Sequence, residues 1–405
     1  MRRTRKYYAE RFSKKIKLGV VSSHPIQYQA PWFRKLAERV ELTVMFAHQL
    51  DAKAQGKGFG KVFVWDVDLL SGYRYEFLKN VARTPDTSRF FGCDTPAVAE
   101  RIKDEKFDAV ILMGWNLKSY WQASVMCRKH GIPVLVRGDS QLDTPRSKAK
   151  QWIKKVVYPF LLRRFDGFLC VGSRNREYIK HYGVEDSRIF SAPHFIDNDW
   201  FAARAAEGDR DRIRSQWGCR ENEVVVMFVG KFIREKRPLD LILAIESMVE
   251  NERPLLVLVG SGKLEPDLKN AASRTGIRVV FSGFKNQSEL PECYAAADAL
   301  ALPSDSDTWG LVVNEAMACG VPAVVSAACG CSPDLVEDGV TGFTYPSGNV
   351  ESLAICLKEI VRRTLSGHDW GPSLREKMKD YSVQNCTNGT IHAVYKLIQD
   401  RKDHS

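Results

Sequence analysis

Residues 298–326 read DALALPSDSDTWGLVVNEAMACGVPAVVS. The stretch opens on an apolar run at 298–304, breaks over Ser-Asp-Ser-Asp, resumes as a helical pattern at 311–319 and returns to a second apolar run at 322–327. Ala, Leu and Val without polar alternation suit parallel strands covered on both faces, and a helix between two such strands makes a βαβ unit. Two carboxylates stand eight positions apart in it: Asp307 before a Trp-Gly step and Glu315 inside the helical run. One acid therefore sits on the loop that leaves a strand and the other on the helix that loop opens. Open α/β sheets bind ligands at that edge.

The same rhythm extends outward in both directions. Further apolar runs at 224–230, 254–260 and 277–283 alternate with helical patterns at 238–250, 263–275 and 288–297. The first half carries runs at 17–22, 41–46, 107–114, 133–138 and 167–172, with helical patterns at 30–40 and 119–131. Between the halves lies a charged stretch, 191–223, that shows no strand of its own and reads as a linker, with its core at 201–222. At 405 residues the chain exceeds one ordinary core. The prediction is an α/β protein of two Rossmann-like, doubly wound domains, 1–200 and 223–375, facing each other across a cleft. The last segment, 376–405, holds an amphipathic helix over 385–403 that can pack back on the first domain.

Composition narrows the function classes. The chain is 44% hydrophobic and 27% charged, ordinary for a soluble globular protein. No run approaches the roughly 18 apolar residues of a membrane-spanning helix. The basic N-terminus has no apolar stretch ahead of a cleavage site, so no signal peptide is expected. The ten cysteines are scattered without a CxxC pair. A zinc site from Cys319, Cys329 and Cys331 lacks a second pair at ligand spacing, and buried thiols in a cytoplasmic protein are the better reading. Charge is uneven: residues 1–200 carry 36 Lys and Arg against 21 Asp and Glu, whereas the remainder carries 24 against 28. The basic half should meet something anionic: a membrane surface, a phosphorylated lipid or nucleic acid.

A second constellation precedes the acids. In VGKFIREKRPLDLILAIESM, 229–248, a strand ends on Gly230 and Lys231, and a basic loop with Lys236 enters a helix. Lysines beside free helix N–H groups suit a phosphate or diphosphate. Gly310 lets the backbone approach a ligand closely, and a carboxylate such as Glu315 can accept from vicinal hydroxyls.

GKF..EKRP, FSGF, AADALALPSDSDTWGLVVNEAMACGVPAVVS and LVEDGVTGF together resemble the donor half of the retaining glycosyltransferases of family 4, which have the two-Rossmann GT-B fold. FDGFLCVGSRNREYIKHYGV and APHFIDNDWF carry the likeness into the first half. The resemblance implies an acceptor-binding first domain and a donor-binding second one. It implies that Asp307, where the family usually has Glu, contacts the donor sugar and that Glu315 binds the ribose. Lys231 and Lys236 would hold the diphosphate, Gly310 and Leu311 would offer amides to the donor, and Trp309 would lie beside it as a further donor-binding residue. Gly283 and Phe284 would form part of the base pocket. The family needs no metal, so the expected substrate is a nucleotide sugar, UDP- or GDP-linked, with no further cofactor.

The first half departs from the family. SSHPIQYQAPWF, 22–33, replaces a glycine-bearing loop and makes His24 a candidate active-site group, with a structural histidine as the alternative. MGWN stands where many members have a His, leaving Trp115 and Asn116. Asp139 is expected at the cleft edge, orienting an acceptor hydroxyl or pairing with Arg137. Residues 146–164 hold seven basic and no acidic residues. On a helical wheel Trp152, Ile153, Val156, Val157 and Phe160 share one face opposite Lys154, Lys155 and Tyr158, the pattern of a helix lying on anionic lipid or of one packing its apolar face on the core. Pro159 is expected to kink or end it. The expected protein is a cytoplasmic glycosyltransferase, peripheral on the membrane, making cell-surface polysaccharide, lipopolysaccharide or lipid-linked glycan. Its rivals are a nucleotide-sugar epimerase of the same fold, a non-catalytic nucleotide-sugar binder and a nucleic-acid-binding protein; no nucleic-acid module supports the last.

Overall fold

The computed structural model describes residues 15–56, 59–144 and 147–403; the basic stretch 1–14 and Arg146 lie outside them. Two parallel sheets organise the chain. The first, in the order β3-β2-β1-β4-β5-β6-β7, consists of β1 (Lys17–Ser22), β2 (Glu41–Phe46), β3 (Arg74–Phe77), β4 (Ala109–Leu112), β5 (Val134–Gly138), β6 (Gly167–Cys170) and β7 (Ile189–Ser191). The second, in the order β10-β9-β8-β11-β12-β13, consists of β8 (Val225–Lys231), β9 (Leu255–Ser261), β10 (Val279–Gly283), β11 (Ala299–Leu302), β12 (Ala323–Ser326) and β13 (Gly342–Tyr345). Strand order reverses between β1 and β4 and again between β8 and β11, so each sheet has a switch point where its loops diverge. This is the two-Rossmann GT-B architecture. Central strands such as β4, β9, β11 and β12 are buried along their length because helices cover both faces.

Three strands had no reading in the sequence: β3 (RYEF), β7 (IFS) and β13 (GFTY). All three are sheet edges, too short to show a period of their own. The stretch 191–223 needs correction as well. It begins with the last residue of β7 and contains helices Asn198–Glu207 and Arg210–Gln216. Asp197 and Asp209 cap these helices by accepting from the Trp200 and Arg212 amides. Phe201, Ile213 and Trp217 are buried in the core of the second sheet, so the segment is packed structure. The helix Val383–Asp403 returns to the first sheet, where Cys386, Ile391, Val394 and Leu397 join the core beside Leu18, Val44 and Phe190.

The helix Lys148–Leu162 runs through Pro159 without ending there, and it is mounted with its apolar face outward. Trp152 and Phe160 are each 68% exposed, and Ile153, Val156 and Val157 are exposed beside them. Its inner face is the other one. Tyr158 packs on Tyr182 and Trp115 at 5.0 and 6.4 Å, Leu162 is buried, and Lys154 reaches the Tyr178 hydroxyl at 3.2 Å. Packing of the apolar face on the core is thereby excluded.

Candidate active site

The site is assembled at the carboxyl edge of the second sheet. β8 ends on Lys231, and a single turn, Arg234–Lys236, leads into the helix Pro238–Glu246. Pro at the first helical position loses no backbone hydrogen bond and presets the helical φ. The Asp305 amide donates to the Glu235 carbonyl at 3.0 Å and fastens this basic loop to the acidic one. Lys236 and Asp307 then meet in an ion pair, with side chains only 24% and 15% exposed. Lys231 faces the same edge. Its ammonium lies 5.0 Å from the ring centroid of Phe59, and burial, followed by the charge of Lys236, lowers its pKa below the usual lysine range.

Gly310 makes the turn from acid loop to helix. Its φ is +98°, and a Cβ there would stand 2.8 Å from Leu302 Cδ2, so a side chain meets both strain and a buried neighbour. The helix Leu311–Ala318 follows and carries Glu315 into a fully buried position. One carboxyl oxygen of Glu315 accepts from the Tyr28 hydroxyl and the other from the Tyr294 hydroxyl, each at 2.7 Å. Tyr294 belongs to the helix Leu290–Ala296 beside it, whereas Tyr28 arrives from the loop after β1, across the cleft. Burial pushes the Glu315 carboxyl up to about 7, against the downward pull of the two hydroxyls. Burial and the neighbouring Glu315 also push both phenols well above their ordinary range. The tyrosines therefore act as donors.

Other residues cross the cleft too. Asp139 accepts from Thr308 Oγ1 at 2.7 Å, next to Asp307. Its alternative partner is engaged elsewhere: Arg137 is buried, donates to the Ala192 and Pro193 carbonyls and lies over Trp32 and Phe195. Gln141, buried, donates to the Asp307 carbonyl at 2.9 Å. His24 hydrogen-bonds Ser23 through Nδ1 at 2.9 Å, and burial, then His48, lowers its pKa to about 4, so the ring is neutral near pH 7. Both of these neighbours belong to the first unit. Gly283 closes β10 with φ +73°, and Phe284 packs under Phe59 and Phe63 from the first unit.

Trp309 departs from its expected placement beside the donor. Its indole is buried against His194 at 5.3 Å and Tyr381 at 6.0 Å and donates to Asn314 Oδ1 at 2.8 Å. A Cβ on Gly172 would sit 2.4 Å from this ring, so Trp309 couples the two units. Trp115, where many family members carry a His, has a structural part as well: it stacks nearly parallel to Tyr178, with centroids 6.5 Å apart. All ten cysteines are free thiols, and among the described residues no cluster of His, Cys, Asp and Glu is arranged to hold a metal ion.

Family models match both halves. Residues 32–200 match "Glycosyltransferase Family 4" and residues 209–383 match "Glycosyl transferases group 1". The chain belongs to glycosyltransferase family 4. Curated relatives in this family include the D-inositol 3-phosphate glycosyltransferase of Mycobacteroides abscessus, 35% identical over 71% of this chain and 64% of that one. The enzyme of the same name from Mycobacterium marinum is 27% identical over 71% and 62%. The chain thus spans a little under two thirds of the length of these relatives. Among solved structures, HepE of Anabaena in complex with UDP and glucose superposes with a TM-score of 0.69 over 94% of this chain and 100% of that one at 17% identity. WaaG, a glycosyltransferase of lipopolysaccharide biosynthesis, gives 0.62 over 94% and 99% at 16%. These likenesses concern the fold.

Within this family-4 site, sequence reasoning missed Tyr28, Tyr294, Gln141 and the Phe59–Phe63 segment. Tyr28 lies inside the quoted loop 22–33, but nothing in a linear pattern says that this loop meets a helix 287 positions away.

Proposed function

We propose that this chain transfers a sugar from a nucleotide-sugar donor to a hydroxyl acceptor with retention of configuration, in the synthesis of a cell-surface polysaccharide, lipopolysaccharide or lipid-linked glycan. The observation that carries the reading is the convergence of Lys231, Lys236, Asp307 and Glu315 on the switch-point edge of the second sheet. The two lysines and the first amides of the helix Leu311–Ala318 would hold the diphosphate, with Asp307 on the sugar and Glu315 on the ribose. To bind, the donor exchanges partners: Lys236 trades the Asp307 carboxylate for phosphate oxygens, and Asp307 is freed for a sugar hydroxyl. The bond from the anomeric carbon to the diphosphate then breaks, and the acceptor oxygen bonds that carbon from the same face. Its proton passes to the departing phosphate. Stabilising the leaving charge is the largest contribution such a site makes. Asp139, held beside Asp307 by Thr308, is suited to orient the acceptor hydroxyl. The UDP and glucose bound by HepE favour a uridine donor.

A panel of UDP-, GDP-, ADP- and dTDP-sugars, titrated into the wild type and a Glu315→Gln variant, tests this. Tight binding of one donor by the wild type, weakened in the variant, is expected. Failure of every donor to bind, or equal binding by both proteins, would sink the assignment. Epimerised donor without any acceptor would favour the epimerase instead.

The outward face of the helix Lys148–Leu162 favours a second reading, peripheral contact with an anionic membrane. Trp152 and Phe160 would enter the interface while Lys148, Lys150 and Lys155 meet the headgroups. Among the described residues no helix is long and apolar enough to cross a membrane. Co-sedimentation with phosphatidylglycerol vesicles should fall for a Trp152→Ser/Phe160→Ser variant; retention equal to the wild type would refute it.

A further inference from the structure

The segment after Phe59 leaves the first sheet's unit and lies across the second. Phe59 through Asp66 crosses the carboxyl ends of β8, β9 and β10 in turn. Phe59 covers the Lys231 ammonium at the end of β8, and its carbonyl accepts from Ser261 Oγ, at the end of β9, at 2.7 Å. Past β10, the Phe284 ring centroid lies 5.0 Å from Phe59 and 4.5 Å from Phe63. The Val64 carbonyl accepts from Asn286 Nδ2 at 2.8 Å, and the Asp66 carboxylate accepts from the Ser288 amide at 3.2 Å and from its hydroxyl.

The strap alternates like a strand. Phe63 and Trp65 turn inward, 5.0 Å apart, whereas Val62 and Val64 are 70% and 62% exposed. Its far end is tied to its own unit by Arg34, which donates to the Ser71 carbonyl at 3.0 Å and to that of Asp68. Beside the strap is a cavity lined by Asp66, Gln27 and Gln287. Gln287 is only 8% exposed, and its amide oxygen is buried with no hydrogen-bond partner among the described residues. A buried amide left unpaired costs free energy unless something else meets it.

We propose that this strap is the nucleobase clamp of the donor site: Phe63 and Phe59, supplied by the acceptor half, cap a base seated on Phe284, and the Gln287 amide reads its edge. The proposal rests on the donor reading above and extends it across the cleft. Aromatic rings 4.5 Å apart are in direct contact, so a base enters by parting Phe63 from Phe284, after which the strap rests on its outer face. An amide offers one acceptor and two donors, which suits the edge of a pyrimidine or purine. Because the clamp joins the two units, it also makes donor binding draw them together.

The test is calorimetric titration of UDP and of GDP into the full chain and into four variants. Phe63→Ala should weaken the preferred nucleotide by roughly tenfold, the scale of one lost base–aromatic stack, and narrow the gap between UDP and GDP. Phe63→Trp should restore affinity, and Val62→Ala, on the outer face, should change nothing. Asp66→Ala, which releases the strap from Ser288 without touching a ring, should weaken binding several-fold with an unchanged melting temperature. Binding of the nucleotide by Phe63→Ala within twofold of the wild type, or more tightly, would overturn the clamp while leaving the donor site standing. A wild type that binds neither UDP nor GDP, nor any sugar of the wider donor panel, would remove the donor reading and the clamp with it.

Discussion

The two sheets are built alike, but their carboxyl edges are finished differently. At the second sheet, short turns deliver the reactive groups: Lys231 is the last residue of β8, Lys236 lies one turn beyond, and Asp307 stands between β11 and its helix. At the first sheet, the chain runs from Phe46 to Arg74 between neighbouring strands and spends part of that length on the other unit. The loop after β1 does the same through Tyr28. Short turns fix a side chain relative to its own strand, and long ones let it act wherever the packing sends it. On the proposed donor reading, the chemistry is therefore local to one sheet, and the residues that cover it come from the other.

The largest effect should follow from removing the local chemistry. Lys236→Ala strips Asp307 of its partner and the leaving group of a cation, and kcat is expected to fall roughly 10²- to 10³-fold in a donor-hydrolysis assay. A loss of only a few-fold would move the leaving-group role to Lys231 and weaken the contrast between the two edges.

The cross-cleft contact at Glu315 should show itself as pH dependence. Its folded-state value of about 7 lies above the ordinary 4.5, so between those values the native protein binds the extra proton. Stability from this group is thus fully present below pH 4.5 and is lost as pH rises through 7, an effect of up to about 3 kcal/mol. Chemical denaturation at pH 5 and pH 8 should reveal this slope in the wild type and lose it in Glu315→Gln. Equal slopes in the two proteins would mean that the carboxyl is not held in the dry Tyr28–Tyr294 environment.

Gly310 probes the turn that sets the acids apart. Gly310→Ala puts a Cβ at φ +98° against Leu302 and should cost about 1–3 kcal/mol, read from the urea midpoint. The smallest effect belongs to the outward helix face. Trp152→Ser should alter stability by less than about 0.5 kcal/mol, because the indole is already in water, whereas Tyr158→Ala on the inner face should cost several times more. Comparable losses at both positions would mean that the apolar face is covered in solution.

The βαβ rhythm, the two doubly wound units and the Asp307–Glu315 pair were legible because each rests on short-range order. Runs of Val, Leu and Ile announce strands buried on both faces, and turn and helix follow within a dozen residues. The edge strands β3 (RYEF), β7 (IFS) and β13 (GFTY) escaped because three or four residues carry no period and, unlike the equally short β4, β6, β11 and β12, they do not sit in a longer apolar run. The segment 191–223 escaped because its high charge hid Phe201, Ile213 and Trp217, which anchor two capped helices. Periodicity alone also left the mounting of the helix Lys148–Leu162 open, since a wheel says which residues share a face and not which face a core accepts. Here the ring of Tyr158 and the stem of Lys154 filled the space beside Tyr178 and Tyr182.

By itself, then, the sequence determined the α/β class, the two sheets and the residue types that a nucleotide-sugar site requires, since these follow from propensity, burial pattern and spacing along one strand–turn–helix unit. Only the tertiary structure decided that Tyr28 locks onto Glu315, that Trp309 serves the junction between units and that Phe59 and Phe63 lie over the neighbouring sheet. Such pairings join residues more than a hundred positions apart. Their energy comes from desolvating particular surfaces against each other, and no local pattern along the chain encodes which surfaces those will be.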